Sequence, residues 1–310
     1  MGYFTSSEGK KQIYYDIIQP EGKPKAVIQV VHGMCEYFGR YKEFAEFMAA
    51  EGYAVAGDDH LGHGRTAEKK EDQGFFAGNN GWRFLVRDEK KMTDILKEKF
   101  PDTPIIILGH SMGSFIARLY ASWYSDDISA ALFMGTSAGI PASAAGAAVK
   151  ILENAAGTKT HLETSQGMFY HFLTRRVPNR KDELDWITRD KEKIEFFKQD
   201  PMGNFAFTAG AYRDLVKLLN EISAKDWAYS LPKNLPIMLM SGEEDPIGDY
   251  GKGTKKVYRR LITAGMKNVS VRLYVDARHE LINELNRSEV YEDILTWAEK
   301  VVGSISKNGA

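Results

Sequence analysis

The sequence of 310 residues holds a single cysteine, Cys35. A lone thiol cannot close an intramolecular bridge, which excludes a disulfide-stapled scaffold and suits a reducing, cytoplasmic compartment. Charge of either sign is not in excess: 41 Lys and Arg stand against 42 Asp and Glu, a formal net charge of -1. Proteins that neutralise nucleic-acid phosphates carry a basic surplus, so a nucleic-acid partner is not expected. Nor is there a polybasic segment for an anionic membrane surface. A basic stretch followed by an apolar core, the mark of a secretory signal, is missing at the start. Met1-Gly2 with Ser6 fits the acylation pattern M-G-x-x-x-[ST], but Tyr3 to Thr5 reads better as strand.

Long apolar runs are also scarce. From Ile128 to Val149 no residue is charged, long enough on paper to cross a bilayer. Gly135, Gly139, Pro141 and Gly146 interrupt it, so a buried strand, a turn and the start of a helix explain it better than one spanning helix. No transmembrane segment is therefore expected. No internal repeat is visible.

Short apolar strands recur at intervals: Ala26–Val31, Tyr53–Ala56, Ile105–Leu108, Ala131–Met134, Ile237–Met240 and Val269–Val275. Runs without clean alternation are those buried on both faces of a parallel sheet. Between them, Tyr41–Glu51, Trp82–Phe100, Phe115–Tyr124 and Tyr291–Val302 show helical spacing. The alternation predicts a mostly parallel, doubly wound α/β sheet, with Gly2–Thr5 and Gln12–Ile18 as a hairpin extending it. The strand rhythm stops between about Gly139 and Ser230. The expected organisation is a core of residues 1–138 and 231–310, interrupted by a helical cap insertion, 139–230.

Gly109-His110-Ser111-Met112-Gly113 matches G-x-S-x-G directly after a strand and opens a helix. A serine on so tight a turn has a strained backbone, and its small neighbours let other chain pass close by. The helix N-terminus beneath it favours developing negative charge. Gly135-Thr136-Ser137-Ala138-Gly139 matches the same pattern, but Ile140-Pro141 follows instead of an amphipathic helix. Ser111 is the expected nucleophile and Ser137 a strand-end residue lining the site.

The chain order of this architecture then calls for an acid and a histidine. His279 alone follows the last strand, on a loop at the carboxyl edge where ligands bind. Asp245, past the end of Ile237–Met240 and before a proline, is preferred as the acid over Glu243, Glu244, Asp249 and Asp276. Backbone N–H groups of Met112 and of Met34, on the loop after an early strand, are the expected oxyanion donors. His60-x-x-His63 beside Asp58 and Asp59 lacks a third ligand at helical spacing and lies among glycines. It reads as a structural loop, so neither a metal nor a cofactor is expected.

His32-Gly33-Met34-Cys35-Glu36 with Arg40-Tyr41, Asp59-His60-Leu61-Gly62-His63-Gly64, the Gly109–Gly113 turn, Asp245 and Arg278-His279-Glu280 together resemble the monoacylglycerol lipase and lysophospholipase group of α/β-hydrolases, also labelled serine aminopeptidase-like hydrolases. The resemblance implies an α/β-hydrolase fold with Ser111, Asp245 and His279 as triad, and Met34 and Met112 as oxyanion donors. It implies that Glu36 and Arg40 lie near the polar leaving-group end. Tyr37 stands where the family usually has histidine, and Thr66 where it usually has serine.

The expected chemistry is serine carboxylester hydrolysis of a small acyl ester, of monoacylglycerol or lysophospholipid type. An aminopeptidase or amide hydrolase, or an aryl esterase, on the same triad remains the alternative. Met168, Phe169 and Phe172 of the cap are candidates either for holding an acyl chain or for the cap's own core. Transient contact of the cap with a membrane surface stays open, as does oligomeric state.

Overall fold

The computed structural model describes residues 1–139, 157–224 and 226–308. Its organising element is one sheet of eight strands: β1 (Gly2–Thr5), β2 (Gln12–Ile18), β3 (Val27–Val31), β4 (Ala54–Asp58), β5 (Ile105–His110), β6 (Ala130–Met134), β7 (Ile237–Gly242) and β8 (Val269–Tyr274). Their order is β1-β2-β4-β3-β5-β6-β7-β8. β1 pairs antiparallel with β2 and β2 antiparallel with β4, and every other pairing is parallel. This is the doubly wound, mostly parallel sheet expected from the alternating strands and helices, and the α/β-hydrolase fold that the family resemblance implies.

The apolar strands β3 to β7 are buried along their whole length. Helices cover them on both sides, so neither face has to be polar. On one side lie α2 (Gly81–Lys99) and α3 (Met112–Trp123); on the other lie α1 (Lys42–Ala50) and α8 (Arg287–Asn308). β8 departs from the expected pattern. Val269, Val271 and Leu273 are half-buried, and Ser270 and Arg272 are exposed. It is an edge strand with one wet face, and its sequence alternates accordingly.

Between β6 and β7 the described residues hold α4 (Glu163–Thr174), α5 (Lys191–Gln199) and α6 (Ala209–Ser223). Asp190 starts α5 by accepting from the N–H groups of Glu192 and Lys193, and Thr208 starts α6 by accepting from Ala211. The helix start expected at the end of the uncharged run lies outside the described residues. A further helix, α7 (Lys252–Thr263), links β7 to β8, and no described helix is long and apolar enough to cross a membrane. All parallel strands point their C-terminal ends to one edge, where Ser111, Asp245 and His279 follow β5, β7 and β8.

Candidate active site

Ser111 sits between β5 and α3 with φ of 52° and ψ of -121°. A non-glycine residue there carries strain of roughly 1–3 kcal/mol, which the surroundings must hold in place. Its N–H donates to the Met134 carbonyl at 3.0 Å, and its carbonyl accepts from the Ser114 hydroxyl at 2.6 Å. The flanking glycines are required by contact. A Cβ on Gly109 would meet the Gly113 carbonyl oxygen at 2.5 Å, and one on Gly113 would meet the Val31 carbonyl oxygen at 1.9 Å. Met112 opens α3, where first-turn N–H groups have no intrahelical partner.

His279 and Asp245 are both buried, with Nδ1 of the ring 3.0 Å from Oδ1 of the carboxylate. The Ile247 N–H donates to the same oxygen at 2.9 Å, and the Ser241 hydroxyl to Oδ2 at 3.3 Å. Burial by itself would raise the Asp245 carboxyl. The His279 charge and its hydrogen bond, with the backbone N–H groups of Ile247 and Gly248, outweigh that and hold it below its usual range. A carboxylate on Nδ1 fixes the ring tautomer. Nε2 of His279 is buried without a hydrogen-bond partner. Of the competing acids, Glu244 lies 3.8 Å from the Arg278 guanidinium, and Asp276 is exposed in the left-handed region.

Ser111 and His279 open into one cavity of about 240 Å³. Met34, Met112 and Ser137 line it beside them, and Phe115, Phe169, Leu215, Leu219 and Ile247 give it apolar walls. Glu36, His110 and Glu280 form its polar part. Glu36 Oε1 accepts from the Gly33 N–H and the Tyr41 hydroxyl, and lies 2.9 Å from His110 Nδ1. Burial would push the Glu36 carboxyl up, but His110 and Arg40 bring it down to about 2. Burial likewise opposes charge on His110, and Glu36 more than compensates, raising it.

Three of the expected pocket residues are placed elsewhere. Arg40 does not reach the cavity: its guanidinium forks onto both oxygens of Glu280, at 2.8 and 2.7 Å, and approaches Glu36 at 3.4 Å. It braces the two carboxylates that do. Met168 and Phe172 are 64% and 54% exposed. They lie four residues apart on the outer stripe of α4, opposite the stripe of Gln166, Phe169, Tyr170 and Leu173, so Phe169 alone of that trio faces the cavity. Sequence reasoning missed Trp186, whose ring centroid is 5.1 Å from that of His279, and Glu280, next to the histidine in the chain. It also missed Leu215 and Leu219 on α6, although their i, i+4 spacing marks one face of a helix.

The loop His60-x-x-His63 is a packed turn. His63 sits among Phe76, Phe205 and Phe207 with Nδ1 3.0 Å from the Leu61 carbonyl, and burial takes its imidazole down to about 3. His60 turns the other way, toward Asp58 and Glu89.

A strained serine at a strand–helix turn, a buried carboxylate–imidazole pair and a shared cavity at the C-terminal sheet edge define the class: an α/β-hydrolase. Residues 22–286 match the family model described as serine aminopeptidase, S33, and the chain belongs to that family. It is 26% identical to a monoacylglycerol lipase of Mycolicibacterium smegmatis over 293 residues, 93% of each chain. It is 27% identical to the human monoglyceride lipase, covering 91% of this chain and 85% of the relative. Among solved structures, a thermostable carboxyl esterase from Bacillus coagulans, in complex with glycerol, superposes with a TM-score of 0.90 at 31% identity over 97% of both chains. These relatives are carboxylic ester hydrolases, and the chain is a hydrolase of that class.

Proposed function

We propose that the chain is a serine carboxylester hydrolase that cleaves monoacylglycerol-type esters through Ser111, His279 and Asp245. The observation that carries this is the meeting of Ser111, on its strained turn, and the unpartnered Nε2 of the Asp245-bound His279 at one cavity. Ser111 Oγ attacks the acyl carbonyl while His279 Nε2 takes its proton. Asp245 keeps Nδ1 protonated and stabilises the imidazolium. The N–H groups of Met34 and Met112 receive the oxyanion, and the imidazolium returns its proton to the departing alcohol. Water, deprotonated by the same ring, then releases the acid.

The walls divide the substrate. Phe115, Phe169, Leu215 and Leu219 suit an acyl chain, and Glu36, His110 and Glu280 suit hydroxyl groups. The two glutamates share one arginine, Arg40, so this end offers no net positive charge to a phosphate. That favours a glycerol leaving group over a phosphodiester headgroup, and it is the reason for preferring monoacylglycerol to lysophospholipid. We read residues 139–230 as a cap, because Phe169, Trp186, Ile187, Leu215 and Leu219 roof the cavity. The exposed Met168 and Phe172 support transient contact of that cap with a lipid surface. The buried, unpaired Cys35 supports a reducing cytoplasmic setting.

An ester panel varying acyl length and headgroup tests the reading, with amino-acid anilides and aryl esters included. Monoacylglycerol is expected to lead. Preferential turnover of anilides would instead indicate an aminopeptidase. Ser111→Ala should lower kcat by roughly 10⁶, as for other triad serines. Retained activity in that variant, with loss in Ser137→Ala, would move the nucleophile to the second serine.

A further inference from the structure

Beneath the loop that carries Met34, outside the cavity, three side chains bring ligand-type atoms together. Asp58 ends β4, His60 follows two residues later, and Glu89 projects from the middle of α2. All three are at most 1% exposed. His60 Nδ1 is 3.2 Å from Asp58 Oδ1 and 3.4 Å from Glu89 Oε1. Both oxygens of Asp58 and Oε1 of Glu89 accept from no N–H or hydroxyl donor of hydrogen-bond geometry. Burial first, then the Asp58 carboxylate hydrogen-bonded beside it, pushes the Glu89 carboxyl well above its usual range. Two carboxylates at this depth are costly unless something neutralises them, and among the described residues no Lys or Arg pairs with either.

The other polar atoms of the cluster are already committed. His60 Nε2 is 3.2 Å from the His32 carbonyl, so Nε2 is spoken for and Nδ1 is the nitrogen turned to the two carboxylates. Glu89 Oε2 accepts from the Gln29 side-chain amide at 2.6 Å, which leaves Oε1 free. The Gln29 amide is fixed in turn by the Thr93 hydroxyl. A histidine whose far nitrogen donates to a carbonyl, and a carboxylate held by a neighbouring amide, are the supports that orient metal ligands. Bonds of about 2.0–2.1 Å to a tetrahedral ion place its ligand atoms roughly 3.3 Å apart. The two His60 contacts have that separation, and the three ligand atoms all lie within 4.8 Å of one another, as groups facing a common centre do.

We infer that Asp58, His60 and Glu89 bind one divalent transition-metal ion of the zinc type. The set of one imidazole and two carboxylates matches that class, and its charge of -2 cancels the ion's. The role is structural, since none of the three lines the cavity. The ion joins the end of β4 to α2. It steadies the oxyanion loop through His60, whose backbone N–H donates to His32 Nε2 at 3.0 Å. Loading expels any proton the empty carboxylate pair carries, so uptake releases acid.

The test is the metal content of the intact chain, produced in zinc-supplemented medium and passed through gel filtration with EDTA, and of the same chain refolded with zinc. Near-stoichiometric zinc is expected. Refolding with Co²⁺ should give the visible absorption of a tetrahedral nitrogen–oxygen site. Glu89→Gln should lower retained zinc at least ten-fold. Asp88→Asn, a buried neighbour bonded to Ser6 and Ser7, should keep it. A metal-free wild type after both treatments overturns the inference and leaves a proton shared by Asp58 and Glu89. Zinc retained in Glu89→Gln overturns it too. Should that variant not fold, the wild-type content and the cobalt spectrum decide.

Discussion

Replacing Gly113 with alanine adds one methyl group at the tightest backbone crossing near the site. Its Cβ would stand 1.9 Å from the Val31 carbonyl oxygen and 2.4 Å from that of His32. Ordinary contact begins near 3.4 Å, so 3.4 − 1.9 = 1.5 Å of separation must open between α3 and the end of β3. Both sides of the contact are main chain, and no rotamer change relieves it. Alanine gains about 1 kcal/mol of helix propensity over glycine, against about 1–3 kcal/mol for overpacking. The clash wins. Ser111 and Met112 ride on α3, whereas Met34 follows β3, so the opening pulls the proposed nucleophile from its oxyanion donor. A misplacement near 1 Å costs on the order of 100-fold in rate. The assay is kcat/KM on a p-nitrophenyl ester, with the thermal midpoint alongside. Gly167→Ala on α4 is the control, because its Cβ meets nothing within 4 Å. It should keep activity and gain slightly in stability. A folded Gly113→Ala with kcat/KM within about three-fold of wild type would refute the reasoning, since the predicted loss is far larger.

Three further outcomes follow from the same site. Arg40→Met removes the arginine that Glu36 and Glu280 share, and should destabilise by about 3–5 kcal/mol in denaturant unfolding, the usual cost of breaking a buried pair. Wild-type stability there would show that the carboxylates need no arginine. The Glu36–His110 pair sets a pH window. Glu36, held down at about 2, contributes fully above its unfolded value near 4.5 and loses this as pH falls toward 2. His110, raised, contributes fully below its unfolded value near 6.5 and loses this as pH rises through its folded value. The difference in thermal midpoint between wild type and Glu36→Gln should therefore be greatest between pH 4.5 and 6.5; a flat difference would contradict the pairing. Leu219→Trp fills the apolar end of the cavity and should lower the decanoyl-to-butyryl ratio of kcat/KM roughly ten-fold, as a lost hydrophobic subsite does. An unchanged ratio would place the acyl chain elsewhere.

The sheet was legible because its strands are buried on both faces and must be continuously apolar, as in Val27–Val31 and Ile105–Leu108. The serine turn was legible because Gly109 and Gly113 are dictated by backbone contact. The cavity wall was not. Met168, Phe169 and Phe172 are equally apolar, and only the rotation of α4, set by what packs beneath it, decides that Phe169 faces inward. Glu89 was hidden for a related reason. It sits in the charged run Arg87-Asp88-Glu89-Lys90-Lys91, yet Asp88 and Glu89 are buried. Arg40 was expected near the polar leaving-group end, and its bond to Glu280 was not legible. Its partner Glu280 is 240 residues away in the chain, beyond the reach of any spacing rule.

Trp186 lies against the His279 ring at 5.1 Å, tilted by 38°, with its indole N–H buried and unpaired. A protonated imidazole quenches indole emission far more strongly than a neutral one. A chain stripped of its other tryptophans, Trp82, Trp123, Trp227 and Trp297, would therefore carry an optical proton gauge beside the proposed base. It would titrate that ring in the resting protein, without substrate and without turnover.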